Sequence, residues 1–396
     1  MALFIFILLL IVLILVHEFG HFIAAKAFGI RVDEFGIFFP PRLFAKKFGE
    51  TVYSFNLLPV GGFVKIFGEN GDTDAAAEFL PKRSSDLPQS SSDDFRARPF
   101  SPETHASASF SRRSRPVQAT VIVAGIVFNI LFAWLALSVG YMVGMQTSQD
   151  HQGFGRVSGV QTTIVAVVPG SPAEKVGLKA EDVIVKIQTG TAQLQGGDGS
   201  AVQAFIVAHQ DESMVLSVSR NKTEQTFLAK PAFLSGLSGV TTDHKAVGIE
   251  LDDIGLLKLN PALALAQGAL LTEQMTAGTA TGLAGFLYSL ATGGAHWGSV
   301  SGPIGIASVG SSAVRSGFTA TIFLMALISI NLAVINLVPI PGLDGGRFLF
   351  IVIEAIIHRP ISEKIATRFT LVGFALLAAL MLVVSFHDIL KLVHPA

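Results

Sequence analysis

Residues 2–28 read ALFIFILLLIVLILVHEFGHFIAAKAF, and the reading of this stretch decides the fold. Residues 2–16 carry no polar side chain, and the whole stretch 2–28 is long enough to cross about 30 Å of hydrocarbon as a helix. Its far end holds His17, Glu18 and His21. On a helix, positions i and i+4 share a face, so both imidazoles can address one ion. Zinc accepts imidazole nitrogen, and a neighbouring carboxylate can take a proton from water, so His17 and His21 are candidate ligands and Glu18 a candidate base. Chance matches to this spacing are common in soluble chains. Inside a membrane helix, ionisable groups are costly and mark function. A secretory signal peptide is the competing reading, with Ala25-Lys26-Ala27 as its cleavage site. No Lys or Arg precedes the run, and it is too long for a signal core, so a spanning helix is expected.

Working outward, three more stretches have the required length: 117–145, 318–338 and 369–390. The 396 residues are 50% hydrophobic and only 14% charged, with 31 Phe, which is too apolar for a soluble core. The expected fold is a polytopic α-helical membrane protein with four transmembrane helices. A net charge of −1 leaves no basic face for nucleic acid. Zero cysteines exclude disulfides, iron–sulfur clusters and thiol nucleophiles, so any metal must be held by His, Asp and Glu.

Lys and Arg flank one side of the spans. Arg31, Arg42, Lys46 and Lys47 follow the first, and Arg112, Arg113 and Arg115 precede the second. Arg347, Arg359, Lys364 and Arg368 lie between the last two. The positive-inside rule therefore puts both termini and the insert between spans two and three outside the cytosol. His17 then lies about 22 Å along its helix, past the midplane on the cytosolic side. Between the first two spans, residues 29–116 should hold a membrane-associated β-hairpin and, from Pro81 to Pro116, a flexible Ser/Pro/Asp-rich linker.

A catalytic zinc needs a third protein ligand and an open position. Asp344 is the best candidate. It lies in the segment Asn336 to Gly346, where Pro339, Pro341 and the glycines break the helix. Irregular backbone at membrane depth is tolerated where it lines a cavity. The plainer alternative is a terminating turn in which Asp344 caps the next helix, residues 347–368 forming a cytosolic-side helix and loop.

As an ordered set, these motifs resemble the bacterial site-2 proteases, of the regulator of sigma-E protease type. The resemblance rests on His17-Glu18-x-x-His21, on Asn336-x-x-Pro339-x-Pro341-x-Leu343-Asp344-Gly345, and on residues 56–65. Ala124-Gly125 through Asn129, and Ser301-Gly302-Pro303-Ile304-Gly305, add to it. It implies an intramembrane zinc metalloprotease in a bacterial inner membrane, with Zn²⁺ on His17, His21 and Asp344 and with Glu18 as base. It also implies that Asn336 holds the substrate near the metal. Single-pass membrane proteins already cut by another protease, such as anti-sigma factors and signal-peptide remnants, are the implied substrates.

Residues 53–65 make a strand-like run interrupted at Pro59 to Gly62. Its edge, Gly62, Phe63, Val64 and Lys65, is a place for an extended substrate to add as a strand. An ordinary structural hairpin is the alternative, and the resemblance favours substrate binding. The insert at 153–252 alternates strands with short helices and is similar to a bacterial PDZ domain. It departs from that pattern at Glu181, where a glycine is usual. Such a domain either binds chain ends or filters access to the site. Residues 253–317 read as an outer-face connection of weak periodicity. Asn129 is either a substrate contact or a helix–helix hydrogen bond. Two alternatives to a protease remain open, a silent membrane scaffold using the insert and, with less support, a metal transporter.

Overall fold

The computed structural model describes residues 1–69, 109–190, 192–220, 222–234, 244–294, 302–359 and 361–393. They form two compact units, one of Met1–Trp134, Thr272–Ser316 and Leu324–Asp388, the other of Leu135–Leu271, Gly317–Phe323 and Ile389–Ala396.

In the first unit, helix α1 (Ala2–Ala27) leads into β1 (Val32–Phe48) and β2 (Thr51–Ile66). The two long strands pair antiparallel, but bulges bend each of them back on the other. Phe35 pairs with Tyr53 on one side and with Val64 on the other, while Tyr53 also pairs with Lys46. Four segments result, in the order 44–48, 51–55, 34–37, 62–66. Residues 62–66 therefore form one open edge.

Helix α2 (Arg115–Val143) follows a 3-10 turn at Phe110–Arg112. The linker expected from Pro81 to Pro116 lies largely outside the described residues, yet its last part is packed chain. Phe110 is buried and donates its N–H to the Phe67 carbonyl (2.8 Å). Gln118 donates to the carbonyls of Phe110, Ser111 and Arg113. A buried aromatic among Ser and Arg residues had no period to reveal it, so the expected boundary at Pro116 is too late. Phe110 joins Ala25, Ile30, Val32, Val121 and Ile351 in one cluster beneath the end of α1. Burying each large member contributes about 1.5–3 kcal/mol.

The second unit holds a sheet and two short helices. Its elements are β3 (Met145–Ser148), β4 (Ser158–Val167), α3 (Pro172–Val176), β5 (Val183–Gln188), β6 (Gln193–Gln195), α4 (Gly199–Ala208), β7 (Met214–Arg220), β8 (Thr223–Ala229) and β9 (Ile249–Leu257). The strand order is β3-β9-β4-β5-β7-β8, all antiparallel, with β6 on β5. Local chemistry explains α3. Ser171 caps it by accepting the Glu174 N–H, Pro172 opens it, and Gly177 closes it at φ +89°. Glu181 takes the left-handed conformation too, at φ +72°. That is why a glycine is usual there, and a side chain in that conformation costs about 1–2 kcal/mol. The last strand was expected at Ala246 to Leu251, but it runs on through Asp252 and Asp253 to Leu257 and pairs with β3. Aspartates disfavour strands. Here Asp253 accepts from Thr162 Oγ1 (2.7 Å) and the Gly199 N–H, and Asp252 from Ser148 Oγ (2.8 Å).

Residues 253–317 are more helical than a connection. They carry α5 (Pro261–Ala291) and α6 (Pro303–Ser316), the latter packed on α1 where Gly310 meets Phe6. Helices α7 (Phe318–Leu337), α8 (Asp344–Ile357) and α9 (Glu363–Val393) complete the chain. Three helices among the described residues, α1, α2 and α7, are long and apolar enough to cross a membrane. Leu3, Phe4 and Leu8 of α1 point outward, the face a lipid solvent requires.

Candidate metal centre

α1 and α2 touch at glycines. A Cβ on Gly20 would lie 2.6 Å from the Ala124 carbonyl oxygen, so the backbones meet there with nothing between. One turn away, a Cβ on Gly125 would lie 2.4 Å from His21 Nε2 and 2.8 Å from His17 Cε1. Gly125 thus provides the space in which the two imidazoles turn towards each other. Their Nε2 atoms stand 3.3 Å apart.

The third group arrives from α7 by a fold-back. Pro339 and Pro341 cannot continue that helix, and the Ile340 N–H instead donates to the Val338 carbonyl (2.7 Å). Gly345 and Gly346 lie against this turn so closely that a Cβ would sit 2.3 Å from the Val338 oxygen and 2.4 Å from the Ile340 oxygen. Asp344, the first residue of α8, is thereby brought to α1. Its Oδ2 lies 2.9 Å from His17 Nε2 and 3.2 Å from His21 Nε2. The three side chains expected as ligands lie together. The side chains of His17 and Asp344 are only 11% and 16% exposed, and His21 is buried.

The three donor atoms fit a zinc ion. Ligands about 2.0–2.1 Å from a tetrahedral ion stand about 3.3 Å from one another, against 3.3, 2.9 and 3.2 Å here. Ring orientation agrees. His21 Nδ1 lies 2.9 Å from the Val121 carbonyl, which can only accept, so Nδ1 carries the proton and Nε2 keeps its lone pair. His17 Nδ1 lies 3.2 Å from the side-chain amide of Asn129, whose Oδ1 is buried and unpartnered. With that amide turned, Oδ1 accepts from Nδ1–H and His17 Nε2 is freed in the same way. Asn129 therefore makes the helix–helix hydrogen bond that was one of its two readings, and its partner is a residue of the site itself. No spacing rule links it to residue 17.

A cavity of about 350 Å³ opens on this cluster, lined by Glu18, His21 and Asp344 on one side and by Phe63, Val64 and Lys65 on the other. Gly62 faces the same way, since a Cβ there would meet Glu18 Cγ at 3.5 Å. Asn336 Nδ2 lies 3.4 Å from His17 Nε2. All the site residues expected from sequence thus converge. Glu69 and Arg347 also line the cavity, although the sequence pointed to neither as a site residue.

The model of peptidase family M50 matches residues 5–380. Zinc metalloprotease RasP of Oceanobacillus iheyensis is 28% identical over 446 residues, covering 98% of each chain. RasP of Geobacillus kaustophilus is 28% identical over 433 residues, covering 96% of this chain and 95% of its own.

Proposed function

The chain belongs to peptidase family M50 and is an intramembrane zinc metalloprotease, and from that premise we propose that His17, His21 and Asp344 hold its zinc and that Glu18 is its base. The observation that carries the assignment is the triangle of donor atoms at tetrahedral zinc spacing. Held by His17, His21 and Asp344, zinc would supply Lewis acidity towards the scissile carbonyl and an acidified water. Glu18 takes the proton of the attacking water and returns it to the leaving amine. Asn129 orients His17, and the Asn336 amide steadies the substrate beside it. With the metal coordinated by three residues of two helices, His17→Ala, His21→Ala and Asp344→Ala are each expected to lose most of about one zinc per chain. Asp344→Asn is the gentler test, keeping shape and removing charge. Full zinc in Asp344→Ala, measured by atomic absorption on purified protein, would refute that ligand.

The substrates are membrane proteins, and we read them as single-pass segments already shortened by another protease. A helix hides its amides, so cleavage needs an extended segment, and the open edge at 62–66 supports pairing with it. Phe67 donates its N–H inward to the Arg31 carbonyl (2.9 Å). Strand amides alternate, so the Val64 N–H is directed outward. Val64→Pro should therefore slow cleavage on the order of tenfold while zinc stays bound, whereas Pro at Phe63 or Lys65 should instead unpair the sheet. Normal cleavage by Val64→Pro would exclude edge pairing through that amide.

By the positive-inside rule we place the termini and the insert on the extracytoplasmic side of a bacterial inner membrane. Helix α9 is read as a fourth span, its Leu371, Val372 and Phe374 exposed as lipid contacts. We read the insert as PDZ-like. The groove between α4 and β9, lined by Gln203, Ile206, Gly248 and Glu250, suits an added peptide strand.

A further inference from the structure

Arg347 lies one turn beyond Asp344 on α8 and forms an ion pair with Glu69. Glu69 lies three residues past Ile66, the end of β2, and its N–H returns to the Ile66 carbonyl (3.3 Å), so a tight turn holds it to the strand. Both residues line the cavity that Glu18, His21 and Asp344 line. The Glu69 side chain is 12% exposed and that of Arg347 49%. Among the described residues this is the one ion pair joining the sheet to α8. The other end of α8 is tied to α2 by Arg115–Glu354 (2.6 Å).

Two parts of the site ride on separate elements. The edge at 62–66 presents the peptide, and Asp344 with the histidines presents the reacting centre. Residues 28–31 tie α1 and its histidines to the sheet, so the gap left to set is the one between the edge and Asp344, which arrives on α8. We propose that the Arg347–Glu69 pair is the brace that sets it, which makes both of them positioning residues for hydrolysis. A half-exposed pair adds little to stability. Its geometric effect is much larger, because a displacement of about 1 Å between reacting groups costs about 100-fold in rate. The guanidinium suits a brace, since its planar fork holds a carboxylate in one orientation. This inference rests on the edge-pairing reading above.

The test compares Glu69→Gln, Arg347→Gln and the charge-swapped double variant Glu69→Arg with Arg347→Glu. Full-length chain in detergent or vesicles is assayed for kcat, KM and zinc content on one membrane substrate, with Val64→Pro measured alongside. Each single variant is expected to lower kcat by about 10–100-fold with about one zinc retained, and the swap to restore most of the loss. A merely structural pair would change unfolding without a kcat loss that the swap rescues. Wild-type kcat in the single variants overturns the brace, and so does a swap no better than they are. Zinc loss in either single variant overturns it as well, since the pair would then be holding Asp344. If Val64→Pro cleaves normally while the pair variants are impaired and rescued, edge pairing has failed and takes the brace with it. If Val64→Pro is slow and the pair variants are normal, the brace alone has failed.

Discussion

Glu18→Gln is expected to keep about one zinc per chain and to lose about 10²–10⁴-fold in kcat. The amide matches the carboxylate in shape, so it fills the same side of the cavity against Gly62. It cannot take a proton from water, and that is the whole of the difference. Zinc should stay because Glu18 supplies none of the three clustered donor atoms. The measurement is single-turnover cleavage of a membrane substrate, beside metal analysis of the same preparation. Wild-type turnover in this variant would remove Glu18 as the base. Loss of zinc instead would mean that the carboxylate is a ligand. The same variant separates the other readings, since a scaffold keeps partner binding and a transporter keeps flux.

Gly125→Ala should cost about 10–100-fold or more in zinc affinity while the chain still folds. The added methyl meets imidazole atoms, at 2.4 Å from His21 Nε2 and 2.8 Å from His17 Cε1. A side chain can swing away, so relief comes from rotating the ring, which breaks the His21 bond to the Val121 carbonyl and scatters the ligand set. Gly20→Ala provides the contrast. Its methyl meets the Ala124 carbonyl oxygen at 2.6 Å, and backbone cannot step aside without separating the helices. That variant should lose about 1–3 kcal/mol of stability, as overpacked sites do. Zinc competition titrations and thermal unfolding distinguish the two patterns. Wild-type zinc affinity in Gly125→Ala would contradict the ring positions.

Residues that act through local geometry were legible in advance. His17 and His21 lie on one helix, where the four-residue spacing alone puts them on one face. Asp344 was found because prolines and glycines at membrane depth need a reason. Residues that act across the fold were not. Asn129 reaches His17 over a separation of 112 residues, and Arg347 reaches Glu69 over 278. Phe110 was lost in a segment of polar composition, and α5 in a run of Ala, Thr and Gly too even to show a face.

The sequence by itself determined that this chain lives in a membrane, that its metal has only His and carboxylate to use, and which residues are the candidates to hold it. Composition, helical period and the cost of burying charge are local properties, readable one segment at a time. Only the tertiary structure decided that Gly125 is the space between two imidazoles and that residues 62–66 pair with the 32–37 segment of β1. It also decided that a pair of charges far apart in the chain meets at the mouth of the cavity. Those facts depend on which backbones come into contact, and contact between distant segments is set by packing, which no spacing along the chain encodes.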